Sequence, residues 1–444
     1  MKSRLVPASL LALGLVACSQ PAPGSRPLAG APAAAPEASL VDPDRQVQGV
    51  GGGEYAPGVI LVKAGDAAAA SRAAARAGGK VKGAIGALGV SIVELPGNAD
   101  VMAAVARAHG DGVEYAEPDY IAHADFMPDD PYANEDSEYT KLTNPLGTAW
   151  HLGKIGARQA WDGSRGEVAS TVCDEFGNCQ TTYDPVKVAV CDTGIDLDHP
   201  DLASKIVHSE DFTGSGTADD GYGHGSHVAG IAAGLTHNGT GIAGTGFNAA
   251  LMNFRVLDSS GNGQYSWIAN GIVAAADNGA RIINLSLGGS SGSQVLLDAV
   301  NYAYSTKGAL VVASAGNSNS TKANYPAYYA NAFAVAATTK TDARAYYSNH
   351  GSWVDIAAPG GGDTKMAFTT SDEMIWSAVP GGYAYKQGTS MAAPVVSGVA
   401  ALVWARYPAL TNAQVRSRLQ SKGDTLGWAS YMKRVNANRA VNEP

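Results

Sequence analysis

Positive charge is in short supply in this chain: 31 Lys and Arg stand against 40 Asp and Glu, a net charge of −9 at pH 7. Nucleic-acid binding needs a basic surface, so nothing in the sequence points to that class of partner. The acidic balance is compatible with bound cations. Aromatic residues are few, 7% against 45% apolar residues overall, while Gly is abundant at 54 of 444. That mix suits a large α/β domain packed with small side chains and rich in tight turns. The length exceeds one domain's usual share. Cysteine is scarce, with four residues in all. The apolar stretch Leu5 to Ala17 is too short to span a bilayer as a helix.

That stretch follows Lys2 and Arg4, and residues 1–18 read as an export signal. It ends Leu15-Val16-Ala17-Cys18, which is similar to a bacterial lipobox whose Cys becomes the lipidated N-terminus. Leu15 suits a plain signal-peptidase site poorly; ordinary secretion is the alternative. Cys173 and Cys179 flank a polar, turn-rich segment that reads as a disulfide-closed hairpin, in keeping with export. Cys191 sits in an apolar strand pattern and reads as a buried thiol used as a small hydrophobe. A catalytic Cys would need a His partner and polar access.

Residues 19–54 are rich in Ala, Pro and Gly without apolar periodicity, the composition of a disordered tether. Structure is expected from Tyr55. Strands at 58–63, 90–95 and 113–120 alternate with helices at 67–77 and 100–109, so 55–124 reads as a small α+β unit. From about Asp130, strands at 186–190, 280–285 and 308–313 alternate with helical patterns near 227–234, 264–278 and 293–306. This predicts a doubly wound parallel sheet with helices on both faces.

Functional residues of such sheets collect at the C-terminal ends of the strands. Asp192 follows strand 186–190 directly, in Asp192-Thr-Gly194. An aspartic protease also uses Asp-Thr-Gly but needs two carboxylates, and the chain has one such motif. Gly223-His-Gly-Ser-His-Val-Ala-Gly230 carries two His, without the spacing or the Glu of a helical zinc site. His224 opens a helix and can face a cleft; His227, a turn later, is expected to pack. Gly388-Thr-Ser-Met-Ala-Ala-Pro394 begins a helix that is apolar all round, hence buried. Ser390 lies at its N-terminus, where free N–H groups and the dipole favour a developing anion. Pro394 is read as a first-turn residue, where no N–H is missed. Asn317 ends strand 308–313 and offers an amide donor.

Asp, His and Ser in this chain order, with Asn317 before the Ser, resemble the subtilisin family from about Asp130 to Asn442. Asn324-Tyr-Pro-Ala-Tyr-Tyr329 and Val354-Asp-Ile-Ala-Ala-Pro-Gly360 are similar to its thermitase branch. The resemblance implies a serine endopeptidase. Ser390 would attack the peptide carbonyl, His224 would move the proton, and Asp192 would orient the imidazole. Asn317 and the Ser390 N–H would hold the oxyanion. Gly261, Asn262, Gly263 and Tyr265 on one side, and Ser286, Leu287 and Gly288 on the other, would clamp an extended protein substrate. Tyr265 and Leu287 would line the pocket for the fourth residue before the cut. A wide, mostly apolar primary pocket is expected between 286–289 and 313–317.

The same resemblance implies structural Ca²⁺ held by Asp130, Asp201, the Asn238 side chain and the carbonyls of Leu235, Thr240 and Ile242. Asp211, Asp219 and Asp220 occupy the stretch of a second, weaker family site. Residues 55–124 would be a propeptide that inhibits its own catalytic domain, 130–444, with its last strand in the cleft. Segments 163–185 and 361–376 look like insertions. The junction His123-Ala-Asp-Phe-Met-Pro128 is the expected self-cleavage site, after Ala124 or Phe126; an apolar pocket disfavours Asp125 and favours Phe126. The expected product is a soluble extracellular monomer, its precursor tethered to a membrane only through lipid on Cys18. The alternatives are a selective processing protease and a catalytically dead, surface-anchored binding protein. A related fold with Glu in place of His is disfavoured by the run 223–230.

Overall fold

Two aspartates open the helices of the N-terminal unit. Asp66 accepts a hydrogen bond from Ala69 N and Asp100 one from Ala103 N, which satisfies first-turn N–H groups with no helical acceptor. The computed structural model describes residues 55–124, 149–173, 179–236, 238, 241–364 and 373–444. Its first unit comprises β1 (Tyr55–Ala64), α1 (Ala67–Ala77), β2 (Lys80–Ile85), β3 (Val90–Glu94), α2 (Val101–Ala108) and β4 (Val113–Ala124). The strands form an antiparallel sheet in the order β4-β1-β3-β2. Strand β2 escaped the sequence reading. It is a mostly exposed strand, so it lacks the buried apolar alternation that marks one. Strand alternation sends Ile60 and Val62 towards the two helices, and Leu61 to the opposite face.

The second unit begins with α3 (Trp150–Lys154), α4 (Ala157–Gly163) and the hairpin β5 (Glu167–Cys173) and β6 (Cys179–Pro185), closed by a Cys173–Cys179 disulfide as expected. There follow β7 (Lys187–Asp192), β8 (Ile206–Asp211), α5 (His224–Ala233), β9 (Ala250–Arg255), β10 (Asn262–Gln264) and α6 (Tyr265–Asp277). Next come β11 (Ile282–Leu285), β12 (Leu287–Gly288), α7 (Gln294–Asn301), β13 (Leu310–Ser314), β14 (Ala332–Thr338) and β15 (Ile356–Pro359). The chain ends with the hairpin β16 (Ile375–Val379) and β17 (Gly382–Lys386), α8 (Thr389–Arg406), α9 (Asn412–Ser421), β18 (Asp424–Leu426), β19 (Ala429–Arg434) and α10 (Ala437–Asn442).

The main sheet runs β18-β19-β15-β14-β13-β11-β7-β9-β8 and is parallel except for β18. Its strands are buried on both faces, which is why they read as apolar runs. In β7, Val188 and Val190 face the core that holds α5 and α8, while Ala189 and Cys191 face the core that holds α6 and α7. Cys191 is unbridged, and burial raises its thiol pKa, as suits a packing residue. After β9 the chain crosses β7 to reach β11, so the strand order reverses at β7. Crevices form at the carboxyl ends of strands at such a point.

The two units share a core. Leu61, Ile85, Val90 and Tyr120 join Ile268, Ile272 and Val295 of α6 and α7 in one cluster. The sheet of the first unit is thus sandwiched between its own helices and two helices of the second unit.

His151 in α3 is buried, with both ring nitrogens lacking a hydrogen-bond partner among the described residues, and burial lowers its pKa to about 4. An unfolded His titrates near 6.5. The unfolded state therefore binds more protons than the folded state between these values, and stability falls as pH drops through that window. The full difference is about 3 kcal/mol. The melting temperature should fall between pH 6.5 and 4. His151→Leu should flatten that fall; an unchanged profile would remove His151 from the account.

Candidate active site

Asp192 is the last residue of β7 and His224 the first of α5. Both are fully buried, and His224 Nδ1 donates to Asp192 Oδ1 at 2.7 Å. The glycines around His224 have a steric origin. A Cβ on Gly225 would lie 2.0 Å from Gly194 O, so only Gly lets α5 approach the Asp192 loop. Gly223 has φ of +84°, in the left-handed region. Asp220 fixes the start of the helix: its Oδ1 accepts from Thr193 Oγ1, Tyr222 N and Gly223 N, and its Oδ2 from Ser226 N and Ser226 Oγ. His227 behaves as expected of a packing residue. It is buried, Nε2 lies 3.1 Å from Ala384 O, and burial holds its pKa well below the usual value.

Ser390 is the second residue of α8, and α8 packs against α5. Pro394 is not in the first turn, contrary to expectation. It is the sixth residue of α8, so its missing N–H leaves the Ser390 carbonyl without its helical donor. Ser286 Oγ fills that role at 2.8 Å, and Ser390 Oγ donates back to Ser286 O at 3.3 Å. Ser286 Oγ is itself held by Asn284 Nδ2 at 2.9 Å, and Asn284 Oδ1 by Ser397 Oγ. Asn317 Oδ1 accepts from Thr389 N at 2.9 Å and Thr389 Oγ1 at 3.0 Å. Its NH₂ is thereby turned away from Thr389 as a donor. Asn284, Ser397 and Thr389 were not picked out from sequence; each acts through a neighbour distant in the chain.

The two expected substrate-binding edges hold β4. Asn262, Gly263 and Gln264 pair antiparallel with His123, Ala122 and Ile121; Leu287 and Gly288 pair with Ala124 and His123. Tyr265 is buried, its ring 5.7 Å from that of Tyr120, and its hydroxyl donates to Ser291 O. Upstream, β4 presents two carboxylates to helix N-termini. Glu117 accepts from Ser293 Oγ, Gln294 N and Val295 N, each at 2.7 Å, at the start of α7. Asp119 accepts from Ser266 N at 2.8 Å and from Ser266 Oγ at the start of α6. Burial raises both acids, Asp119 to about 7, against the pull of these bonds. The only signal in the sequence was the alternation Glu117-Pro118-Asp119, which puts both acids on one face of a strand.

Asn324 stands between the expected walls of the primary pocket. A Cβ on Gly288 would lie 2.3 Å from its Nδ2, and one on Gly316 3.0 Å from its Cγ and Nδ2. Asn324 also lines a cavity of about 540 Å³ with Ser318, Ser320, Thr321 and Lys322, and with Tyr325 and Tyr328. Its lining mixes hydroxyl and amide groups with tyrosine rings, and it includes none of the expected wall residues 286–289 and 313–317. Asp201 is fully buried and accepts from Asn238 Nδ2, Ile242 N and Tyr383 OH. Its main-chain oxygen accepts from Leu235 N. No ion pair neutralises Asp201 among the described residues, so a buried carboxylate amid oxygen-bearing loops fits a hard cation. Asp130 and Thr240 lie outside the described residues. Asp211 is satisfied by Thr213, Ser215 and Gly216 of its own loop, and Asp220 by the start of α5. Asp219 Oδ1 accepts from Leu197 N and Asp220 N. Among the described residues no group of three His, Cys, Asp or Glu could hold a metal.

The Subtilase family matches residues 184–436, which includes Asp192, His224, Asn317 and Ser390. The chain belongs to the subtilase family. It is a serine endopeptidase with an N-terminal prodomain, residues 42–119 of which match the fervidolysin N-terminal prodomain. Among curated relatives, thermitase of Thermoactinomyces vulgaris is 44% identical over 293 residues, 65% of this chain and 94% of that one. The thermophilic serine proteinase of Bacillus sp. (strain AK1) is 38% identical over 338 residues, 74% and 73% of the two chains. Among solved structures, fervidolysin from Fervidobacterium pennivorans, a keratinolytic enzyme related to subtilisin, matches with a TM-score of 0.70 at 26% identity, over 90% of this chain and 64% of that one. A protease from Pseudoalteromonas arctica matches with a TM-score of 0.58 at 33% identity, over 66% and 96%.

If Asn317 is the oxyanion donor that the family resemblance implies, Asn317→Ala should lower kcat by about 10²–10³ with little change in KM, because such a donor acts on charge that develops only in the transition state. Steady-state kinetics on a peptide substrate checks this. A matching rise in KM at constant kcat would instead assign Asn317 to ground-state binding.

Proposed function

We propose that this subtilase cuts extended protein substrates by an Asp192–His224–Ser390 triad, and that residues 55–124 hold the catalytic unit, 130–444, inactive until cut away. The observation that carries this is β4, lodged antiparallel between the edges at 262–264 and 287–288. Extended peptides add to open strand edges in this way.

In this reading Ser390 Oγ attacks the carbonyl carbon and gives its proton to His224 Nε2. The hydrogen bond to Asp192 fixes the tautomer and stabilises the imidazolium. Asn317 Nδ2 and Ser390 N, at the start of α8, hold the oxyanion. His224 then protonates the leaving amine, and water hydrolyses the acyl-enzyme by the reverse proton path. Open strand edges recognise main chain, so the enzyme takes many sequences, with apolar residues preferred before the cut and a second pocket at Tyr265 and Leu287 for the fourth residue before it. A selective processing role has no observation in its favour.

Structural Ca²⁺ would be held by Asp130, Asp201, Asn238 and the carbonyls of Leu235, Thr240 and Ile242. It would tie the 235–242 loop to Asp201 and take no part in bond breaking. Tyr383 OH on Asp201 links that region to β17, which leads into the Ser390 loop. Export is supported by the disulfide. A monomer lipidated on Cys18 as a precursor and released on maturation completes the proposal; residues 1–54 and 125–148 lie outside the described residues.

Ser390→Ala should yield a full-length, folded precursor. Normal maturation of the purified mutant would show that Ser390 is not the nucleophile of self-cleavage. Removing calcium should lower the melting temperature, since a ligand at 100 times its Kd adds about 2.7 kcal/mol. An unchanged melting temperature in EDTA, with no calcium by metal analysis, would eliminate the Asp201 site.

A further inference from the structure

We propose that Arg255, a residue that no motif singles out, is a positioning residue of the reaction: its guanidinium holds the loop from which Asp220 sets the start of α5, and so aims the His224 imidazole. The inference deepens the protease reading above and rests on it.

Residues 212–223 join β8 to α5 with no helix or strand between them. Main-chain oxygens in such a connection find no ladder partner, so side chains must take them. Three successive carbonyls, those of Thr217, Ala218 and Asp219, are taken by side chains of β9. Asn253 Nδ2 donates to Ala218 O at 2.8 Å. Arg255 Nη1 donates to Asp219 O at 2.7 Å and to Thr217 O at 3.3 Å. Asn253 and Arg255 stand two apart on one strand, hence on one face. The loop also lies against the Asp192 turn: a Cβ on Gly194 would come within 2.5 Å of Ala218 O and 3.0 Å of Asp219 O. It is therefore pinned between β9 and the turn that follows Asp192.

Arg255 is buried at the end of its strand, where it is the register partner of Asp192. Among the described residues no carboxylate forms an ion pair with it. Its remaining printed bonds go from Nη2 to Ser259 Oγ at 2.9 Å and from Nε to Leu257 O at 3.4 Å. Burying a guanidinium without an opposite charge is costly. What the fixed fork of donors provides here is a held path of main chain rather than one held point.

The route to the base is short. Asp219 is followed by Asp220, whose carboxylate accepts from Gly223 N, just before His224, and from Ser226 N and Thr193 Oγ1. Asp192 O in turn accepts from Val256 N and Leu257 N, the two residues after Arg255. The end of β9 thus fixes Asp192 through its main chain and His224 through the Arg255 side chain. A misplacement of about 1 Å at a reacting group can cost about 10²-fold in rate.

The test uses matured enzyme, freed of residues 55–124 by cleavage in trans, and a small fluorophosphonate that carries no peptide. Such a probe needs Ser390 and His224 but not the strand edges. In Arg255→Met the rate constant for labelling Ser390 should fall by about tenfold or more, and kcat on a peptide should fall alike with KM unchanged. A partly unfolded preparation would lower the final labelled fraction and leave the rate constant as it was. Arg255→Lys, which keeps the charge but not the fork, should recover part of the loss and still label more slowly than wild type. Asp220→Asn should slow labelling by itself, and either Arg255 variant added to it should cost no more. If Arg255→Met does not fold, Arg255→Lys with Asp220→Asn completes the same cycle. Wild-type labelling rates in the Arg255 variants overturn the inference, as does a raised KM at unchanged labelling rate, which would assign Arg255 to the substrate edge through Ser259. Losses that add in the double variant overturn the route through Asp220. A wild-type enzyme that takes no label on Ser390 and cuts no peptide overturns the protease reading itself.

Discussion

The hydrogen bond between Asp192 and His224 is the constraint around which the site is arranged. Two polar groups sit fully buried at the end of a strand and the start of a helix, and neither could be kept there without the other. The pairing demands a close approach of α5 to the Asp192 loop, which demands Gly225. It also demands a fixed helix start, which Asp220 supplies by gathering Thr193, Tyr222, Gly223 and Ser226 around one carboxylate. Few of these contacts touch a substrate. They set where one imidazole points.

Helix N-termini recur across the molecule in two roles. At α5 and α8 they carry the proposed base and nucleophile. At α6 and α7 they receive Asp119 and Glu117 of the prodomain. The second pair converts the general affinity of a helix start for negative charge into a hold on β4. That hold does not use the cleft, so it can keep β4 in register while its end lies at the strand edges. The proposed inhibition then needs only main-chain pairing there, which any extended substrate could also make.

What was legible from sequence follows from what is contiguous. Asp192, His224 and Ser390 each lie in a run whose small residues serve that one residue, and the doubly wound sheet announces itself through strands buried on both faces. Asn317 and His227 were placed by position relative to an element. What stayed hidden depends on chain-distant neighbours. Asn324 is a loop amide until Gly288 and Gly316 close around it. Asn284 and Ser397 are unremarkable until their link to Ser286 is seen. Pro394 misled because the helix starts at Thr389; the carbonyl it frees is taken by Ser286, which no local pattern could show.

The central claim is that Ser390, activated by the buried Asp192–His224 pair, is the nucleophile. Labelling the matured enzyme with a fluorophosphonate, followed by peptide mapping in a mass spectrometer, tests it most directly. The account predicts one label per chain, on Ser390, abolished when matured enzyme is prepared with His224→Ala by cleavage in trans. A label on another residue, or full labelling of Ser390 without His224, would contradict it.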